Sequence, residues 1–377
     1  MGDHNSSQPG GAADPMAPPT TKKKTVTAED LFEPHVQAQY DPKAVELVVW
    51  GANSDSPAQH EAPLAEVRKN PSLYAPPWCT DTTGYEGVSD DAVASTDGQA
   101  QIPVKVYRPD PTKWGEGPTG FISTSTVRRG GHVLGDLTTD ALLCLNMRDG
   151  AGVVVVDVNY RHCPEATWGK GIEDGWAAVQ WILTPTPKVR NSAEKLNINP
   201  DSVSVGGISA GATISLVLQH LARDAGVPLR LCMATVPGTD KSLLYDDPAE
   251  SPYPSFTEFA NGPVLPFARI RLFGGICFPR DELPERLALV PEWWTCPLQA
   301  PDFGGLCDTL IRTGAVDPLR DEAEAYGFKL VQAGNIKVTM KRYTGCPHMW
   351  MYWRPMPQKH EYDQDSIRAL RDAHGVK

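Results

Sequence analysis

Apolar positions along this chain follow two alternating rhythms. Short apolar runs, bounded by glycine, proline or charge, read as strands: Ile102 to Tyr107, Gly120 to Ser125, Gly152 to Val158, Ser202 to Val205, Leu229 to Val236, Asp308 to Thr313 and Lys337 to Tyr343. Longer segments with apolar residues three or four apart read as helices. They are Ile172 to Leu183, with Trp176, Val179 and Ile182 on one face, then Ala212 to Arg223 and Leu319 to Ala333. Strands alternating with helices predict an α/β fold with a mostly parallel central sheet and helices on both faces. Two stretches break the rhythm. Residues 28 to about 80 hold short helical patterns interrupted by prolines, opening with a helix start at Thr27-Ala28-Glu29-Asp30. Residues 238 to about 300 are rich in proline and aromatics, as in Ser251-Pro252-Tyr253-Pro254-Ser255-Phe256 and Pro291-Glu292-Trp293-Trp294. Residues 1–26, polar and rich in Gly, Pro, Ser and Lys, are expected to be a disordered tail.

The most informative chemistry lies where one strand meets its helix. In Val203-Ser204-Val205-Gly206-Gly207-Ile208-Ser209-Ala210-Gly211, a Gly-x-Ser-x-Gly pentapeptide joins an apolar strand to a helical pattern. A sharp strand–helix turn around a serine lifts its hydroxyl above the sheet as a nucleophile elbow. Glycine at 207 and 211 avoids collision with the neighbouring strand and helix, and the helix N-terminus offers amides to a developing oxyanion. A serine hydroxyl needs a base and an orienting carboxylate, expected here in the order Ser, acid, His. Gly314-Ala315-Val316-Asp317-Pro318-Leu319 leaves one strand, and Thr344-Gly345-Cys346-Pro347-His348 leaves the next. Asp317 and His348 therefore belong on the same sheet edge as Ser209. The plainer reading of Asp317 is a helix N-cap, and that of His348 a solvent-facing loop residue.

These stretches, with Gly130-Gly131-His132-Val133-Leu134-Gly135-Asp136 and Val158-Asn159-Tyr160-Arg161-His162-Cys163-Pro164-Glu165, make the chain resemble the hormone-sensitive-lipase-like branch of the α/β-hydrolase superfamily, particularly its fungal members. The resemblance spans about residues 100 to 350. It implies an α/β-hydrolase fold with a helical cap, in which the 238–300 insertion and an N-terminal cap segment (27–80) cover a hydrolase domain (81–377). It implies esterase or other acyl-transfer chemistry without a metal or organic cofactor. It also places the oxyanion hole at Gly130, Gly131 and the Ala210 amide. Fungal relatives of this kind often accompany secondary-metabolite synthases.

The chain departs from the family pattern beside that hole. Arg128 stands where the family has a loop histidine, Arg129 replaces a glycine, and His132 replaces an aromatic residue. Ile208 stands where an aspartate normally precedes the serine, so the hydrogen bond that helps to fix the family's oxyanion loop is missing. Arg128, His132, Ile208 and Trp350 are the candidate pocket residues. The acyl acceptor stays open: water gives a carboxylesterase, and an alcohol gives a transacylase or lactone-forming enzyme. A third alternative is a ligand-binding member of the fold.

Composition narrows the partners. At 377 residues and 41% hydrophobic content, the chain can build a substantial core, and its net charge of −11 argues against nucleic acid as a partner. A small-molecule ester or thioester is the expected substrate, with a carrier-protein-bound acyl donor as a further candidate. No apolar run reaches the roughly 20 residues of a membrane span. The first residues lack signal-peptide character, so a cytoplasmic location is expected. Eight cysteines show no Cys-x-x-Cys pair and are read as reduced, buried thiols. Oligomeric state is not legible.

Overall fold

The computed structural model describes residues 25–54, 62–69, 79–115, 119–123, 130–183, 196, 198–334 and 336–376. Its strands are β1 (Val88–Ala94), β2 (Gln101–Tyr107), β3 (Thr119–Ser123), β4 (Val154–Val158), β5 (Asn199–Ile208), β6 (Leu229–Thr235), β7 (Asp308–Gly314) and β8 (Val338–Tyr343). They form one eight-stranded sheet in the order β1-β2-β4-β3-β5-β6-β7-β8. β2 runs antiparallel to both neighbours, and every pair from β4 to β8 is parallel.

The unbroken valine run of β4 shows why the sheet is buried on both faces. Val154, Val156 and Val158 pack with Ile172, Val179 and Ile182 of helix Lys170–Leu183 and with Leu216 of helix Ala210–Asp224. Val153 and Val155 point the other way, against Leu145 of helix Ala141–Ala151 and Leu370 of helix Pro357–His374. A strand covered on both sides has no polar face to display, so its pattern is continuous rather than alternating.

The polar-looking β1 was not anticipated. Val93 is its only fully buried side chain, and Asp90 pairs with Lys105 across the β1–β2 register at 3.0 Å. It is an edge strand facing water, where charge is the normal composition.

The two irregular stretches fold as short helices. The insertion forms Pro254–Glu258, Phe267–Cys277, Leu283–Ala288 and Glu292–Thr295. The N-terminal segment opens at Thr27, whose amide and hydroxyl both bond Asp30 Oδ2 (2.9 and 3.0 Å). Its Phe32, Val36, Tyr40 and Ala44 pack with Phe259, Trp350 and Met351, and Val67 packs with Phe273 and Phe278 of the insertion. Residues 1–24 of the expected tail, and Arg128 with Arg129, lie outside the described residues.

Candidate active site

Ser209 occupies the junction between β5 and helix Ala210–Asp224, with φ 53° and ψ −120°, a backbone conformation costly for any residue with a side chain. The turn is held by the Ser209 amide, which donates to Thr235 O on β6 (2.8 Å), and by the Thr213 amide, which donates to Ser209 O (3.0 Å). A Cβ on Gly207 would lie 2.3 Å from the Gly211 carbonyl carbon, so the two glycines of the pentapeptide meet each other. Only a hydrogen at residue 207 lets the helix start this close to the strand.

The loops after β7 and β8 bring two further side chains to Ser209. Its Oγ is 2.9 Å from His348 Nε2, and His348 Nδ1 is 2.8 Å from Asp317 Oδ2. Asp317 is fully buried, and its second oxygen accepts the Leu319 amide at 3.0 Å. The N-cap-like contact expected as the plainer reading thus coexists with the histidine contact, each using one carboxylate oxygen. The His348 loop is clamped by the N-terminal segment, where the Asp41 amide donates to Gly345 O (2.9 Å) and Gln358 Nε2 reaches both Asp41 Oδ2 (2.9 Å) and Thr344 O (3.3 Å). Burial, and then the nearby Asp317 carboxylate, push the Tyr40 phenol up from its ordinary value.

Ser209, Ala210 and His348 open on a pocket shared with Gly131, His132, Trp168 and Met349. Its far walls come from the insertion, through Leu243, Leu265, Ile270 and Phe273, with Asp240, Ser242 and Arg269 as polar elements. Among the described residues, none from 25–115 lines this pocket; the N-terminal helices stand behind the wall rather than in it. Gly130 is buried beside the pocket but is not part of its lining.

Two expected pocket residues are elsewhere. Ile208 alternates with Ser209 along the strand and so points beneath the sheet edge, into a cluster with Leu143 and Val236. Trp350 is fully buried against Tyr343 and Tyr362. Its place after His348 put it near the site in sequence, but the 3-10 turn Trp350–Tyr352 carries it into the core. His132 does line the pocket. It has φ 65° and meets the Trp168 ring edge-on with centroids 4.6 Å apart, and burial pushes its pKa down to about 3, so it is neutral.

With Ile208 unable to anchor the 130–134 turn, other groups hold it. Gly130 O accepts the Val133 and Leu134 amides (2.6 and 3.0 Å). His132 O accepts the Cys163 amide (3.0 Å), and Gly131 O faces Cys277 Sγ at 3.6 Å. Arg68, from helix Leu64–Lys69, donates to Val133 O (2.8 Å) and Cys163 O (2.6 Å) and pairs with Glu165. The loop carrying Cys163 is itself fixed by Arg161, which forks onto buried Asp174 and reaches Asp97 at 3.1 Å. Arg68, Trp168 and Phe273 escaped the sequence reading because their roles depend on contacts between distant segments. A lone arginine in a short helix carries no local signal of its targets.

At the pocket's other end, the start of the insertion is pinned by Glu322. Its Oε1 accepts the Thr239 amide (2.8 Å), and its carbonyl accepts Thr239 Oγ1 (2.6 Å). Full burial drives the Glu322 carboxyl up to about 8. Among the described residues, no group of His, Cys, Asp and Glu is arranged to hold a metal ion. No described helix is long and apolar enough to cross a membrane.

A strand–serine–helix turn, with an acid and a histidine beyond the ends of two later strands, β7 and β8, is the architecture of one large superfamily. The profile of the family described as alpha/beta hydrolase fold matches residues 127–352, and the chain belongs to it, in the hormone-sensitive-lipase-like branch and of fungal type. An AB hydrolase superfamily protein of Schizosaccharomyces pombe is 29% identical over 349 residues, covering 89% of this chain and 94% of its own. Carboxylesterase NlhH of Mycobacterium tuberculosis is 33% identical over 254 residues, covering 67% of this chain and 69% of its own. Among solved structures, an α/β-hydrolase enzyme from the Lake Arreo metagenome superposes with TM-score 0.75 at 26% identity, covering 90% of this chain and 100% of that one. An esterase of Pyrobaculum calidifontis gives TM-score 0.69 at 25% identity, with 88% and 98% covered.

Proposed function

We propose that the protein is a carboxylic-ester hydrolase that works through an acyl-enzyme on Ser209. The observation that carries this reading is the continuous Asp317–His348–Ser209 contact at 2.8 and 2.9 Å, opening on an apolar pocket. Relatives and structural neighbours named as esterases support the reaction class.

In this reading His348 Nε2 takes the Ser209 proton as Oγ attacks the ester carbonyl. The imidazolium is stabilised by Asp317, whose Oδ2 receives the Nδ1–H. The carbonyl oxygen becomes an oxyanion, met by the Ala210 amide at the helix N-terminus and by amides of the Gly130–Gly131 turn. His348 then protonates the leaving alcohol. Water, deprotonated by the same imidazole, releases the acid and restores Ser209. The apolar part of the pocket wall, Trp168, Leu243, Leu265, Ile270, Phe273 and Leu319, suits an uncharged ester group.

The test is labelling by a fluorophosphonate, with hydrolysis of p-nitrophenyl esters of rising chain length. Labelling at Ser209, with turnover lost in Ser209→Ala, is expected. A Ser209→Ala protein that is still labelled and still turns over would assign the chemistry to another residue.

A further inference from the structure

We propose that Asp240 and Thr295 form a polar subsite in the pocket wall that selects esters carrying a hydroxyl group remote from the carbonyl. The inference rests on the proposed ester hydrolysis at Ser209 and names the class of ester. Both residues line the cavity on which Ser209 and His348 open, beside the apolar Trp168 and Leu243. Asp240 lies just beyond the end of β6. Two residues before it, Gly238 O accepts the Thr213 hydroxyl (2.7 Å) from the first turn of the helix that follows Ser209. That bond fixes the start of the insertion relative to the nucleophile. Thr295 ends helix Glu292–Thr295, and the chain after it runs beside Asp240, where the Leu298 amide donates to Thr239 O (3.0 Å).

Each of the two side chains has one hydrogen-bonding group engaged and one left over. Asp240 Oδ2 accepts the Tyr245 hydroxyl at 3.0 Å. Burial, and then the Asp240 carboxylate, push the Tyr245 phenol up, so it stays a donor. Among the described residues, Asp240 Oδ1 has no partner and no cation lies within ion-pair distance of Asp240, which is only partly buried. Thr295, itself buried, accepts the Trp168 indole N–H on Oγ1 at 2.9 Å. An indole nitrogen only donates, so the Thr295 hydroxyl hydrogen is not used there, and among the described residues no group accepts it. Thr213, another hydroxyl of the wall, already donates to Gly238 O. The wall therefore presents one acceptor, from Asp240, and one donor, from Thr295.

A hydroxyl is the group that matches both, since it donates its hydrogen to Asp240 and accepts the one from Thr295. An ammonium group has no lone pair for Thr295 and would share the wall with the Arg269 guanidinium. A carboxylate would be repelled by Asp240. An alkyl chain would displace water from both groups without replacing its hydrogen bonds, which lowers affinity. A site of this kind discriminates against the substrate that lacks the hydroxyl, because its own polar groups are then left unpaired.

The experiment uses the full-length protein and matched ester pairs. On the acyl side, p-nitrophenyl hexanoate is compared with its 6-hydroxy and 6-amino analogues. On the alcohol side, hexyl acetate is compared with 6-hydroxyhexyl acetate. On one side, the hydroxylated ester should lead in kcat/KM by about tenfold or more, the effect of a hydrogen bond to a charged group. Asp240→Ala should bring that ratio to about one, and Thr295→Val should lower it about fivefold. Each ratio is taken within one protein, so a general loss of activity cancels. Asp240→Asn, of the same shape, serves where Asp240→Ala fails to fold and should at least halve the ratio. Equal rates within both pairs, a preference unchanged in the Asp240 variants, or the amino ester outrunning the hydroxy ester would overturn the proposal. Calorimetric binding of ethyl hexanoate, hexyl acetate and their 6-hydroxy counterparts to the Ser209→Ala protein separates the subsite from the chemistry. Tighter binding of a hydroxylated member supports the subsite, and equal binding within both pairs overturns it. A wild-type protein that hydrolyses no ester while that difference in binding holds would overturn the esterase reading and leave the subsite standing.

Discussion

Gly131→Ala is the sharpest single perturbation of the proposed oxyanion hole. Gly131 has φ +43°, and a Cβ there would lie 2.2 Å from Phe273 Cδ2, 2.3 Å from its Cγ and 2.8 Å from its Cβ. Ordinary carbon contact is about 3.5–4.0 Å, so turn and ring must separate by roughly 1.5 Å. The left-handed backbone costs alanine about 1–2 kcal/mol, and overpacking adds about 1–3 kcal/mol. The protein can relieve the second cost only by moving helix Phe267–Cys277 or the turn. An amide displaced by this much is lost as an oxyanion donor, and one such donor is worth about 10²–10³ in kcat. The assay is kcat and KM on p-nitrophenyl butyrate beside a thermal unfolding midpoint. We expect kcat to fall about 10²-fold with a lowered midpoint. Phe273→Ala in the same chain should recover part of kcat, because it removes the clash but not the backbone cost. A Gly131→Ala enzyme within about threefold of wild-type kcat would refute both the placement of the hole and the rigidity assigned to the turn.

Ser209→Ala, His348→Ala and Asp317→Asn should each lower kcat by about 10⁴ without additivity, measured as single and double variants. Arg68→Met removes the donors to Val133 O and Cys163 O, so kcat should fall about 10-fold with little change in KM, the worth of a charged hydrogen bond. Glu322 sets a pH dependence of stability. Its folded value near 8 lies above the 4.5 of the ordinary carboxyl, so its buried neutral form is favourable below about pH 4.5. Stability then declines as pH rises toward 8, by a few kcal/mol in all, and unfolding midpoints of Glu322→Gln at pH 5 to 8 should decline less than those of wild type. Deleting residues 1–24, low in apolar content, should leave the rate unchanged; deleting 1–69 should lower it sharply, since the Asp41 clamp and Arg68 go with it.

Legibility in the sequence followed the range of the interactions. The elbow is local, since Gly207, Ser209 and Gly211 meet within one turn, and their spacing already specified it. Asp317 and His348 were legible because each follows an apolar strand, and parallel strands deliver their following loops to one edge. The strands themselves were legible where both faces are buried, as in β4, and illegible in β1, where solvent allows charge. Ile208 and Trp350 were misplaced because nearness to Ser209 and His348 in sequence says nothing about side-chain direction. One step along a strand reverses the face. Arg68 and Cys277 reach the 130–134 turn from two distant parts of the chain, and no periodicity encodes such a meeting.

Helix Phe267–Cys277 is at once a wall of the pocket beside Ser209 and the backrest of Gly131. Selectivity and rate are therefore not separable modules here. Exchanging this insertion for that of a relative, the obvious route to a new substrate range, would also exchange the surface on which the proposed oxyanion turn rests. Chimeras should regain activity only when residues 130–134 and the loop around Cys163 travel with the graft. Drift in substrate preference within the lineage would be confined to positions such as Leu265 and Ile270, which face the pocket from the insertion without making the close contact that Phe273 makes with Gly131.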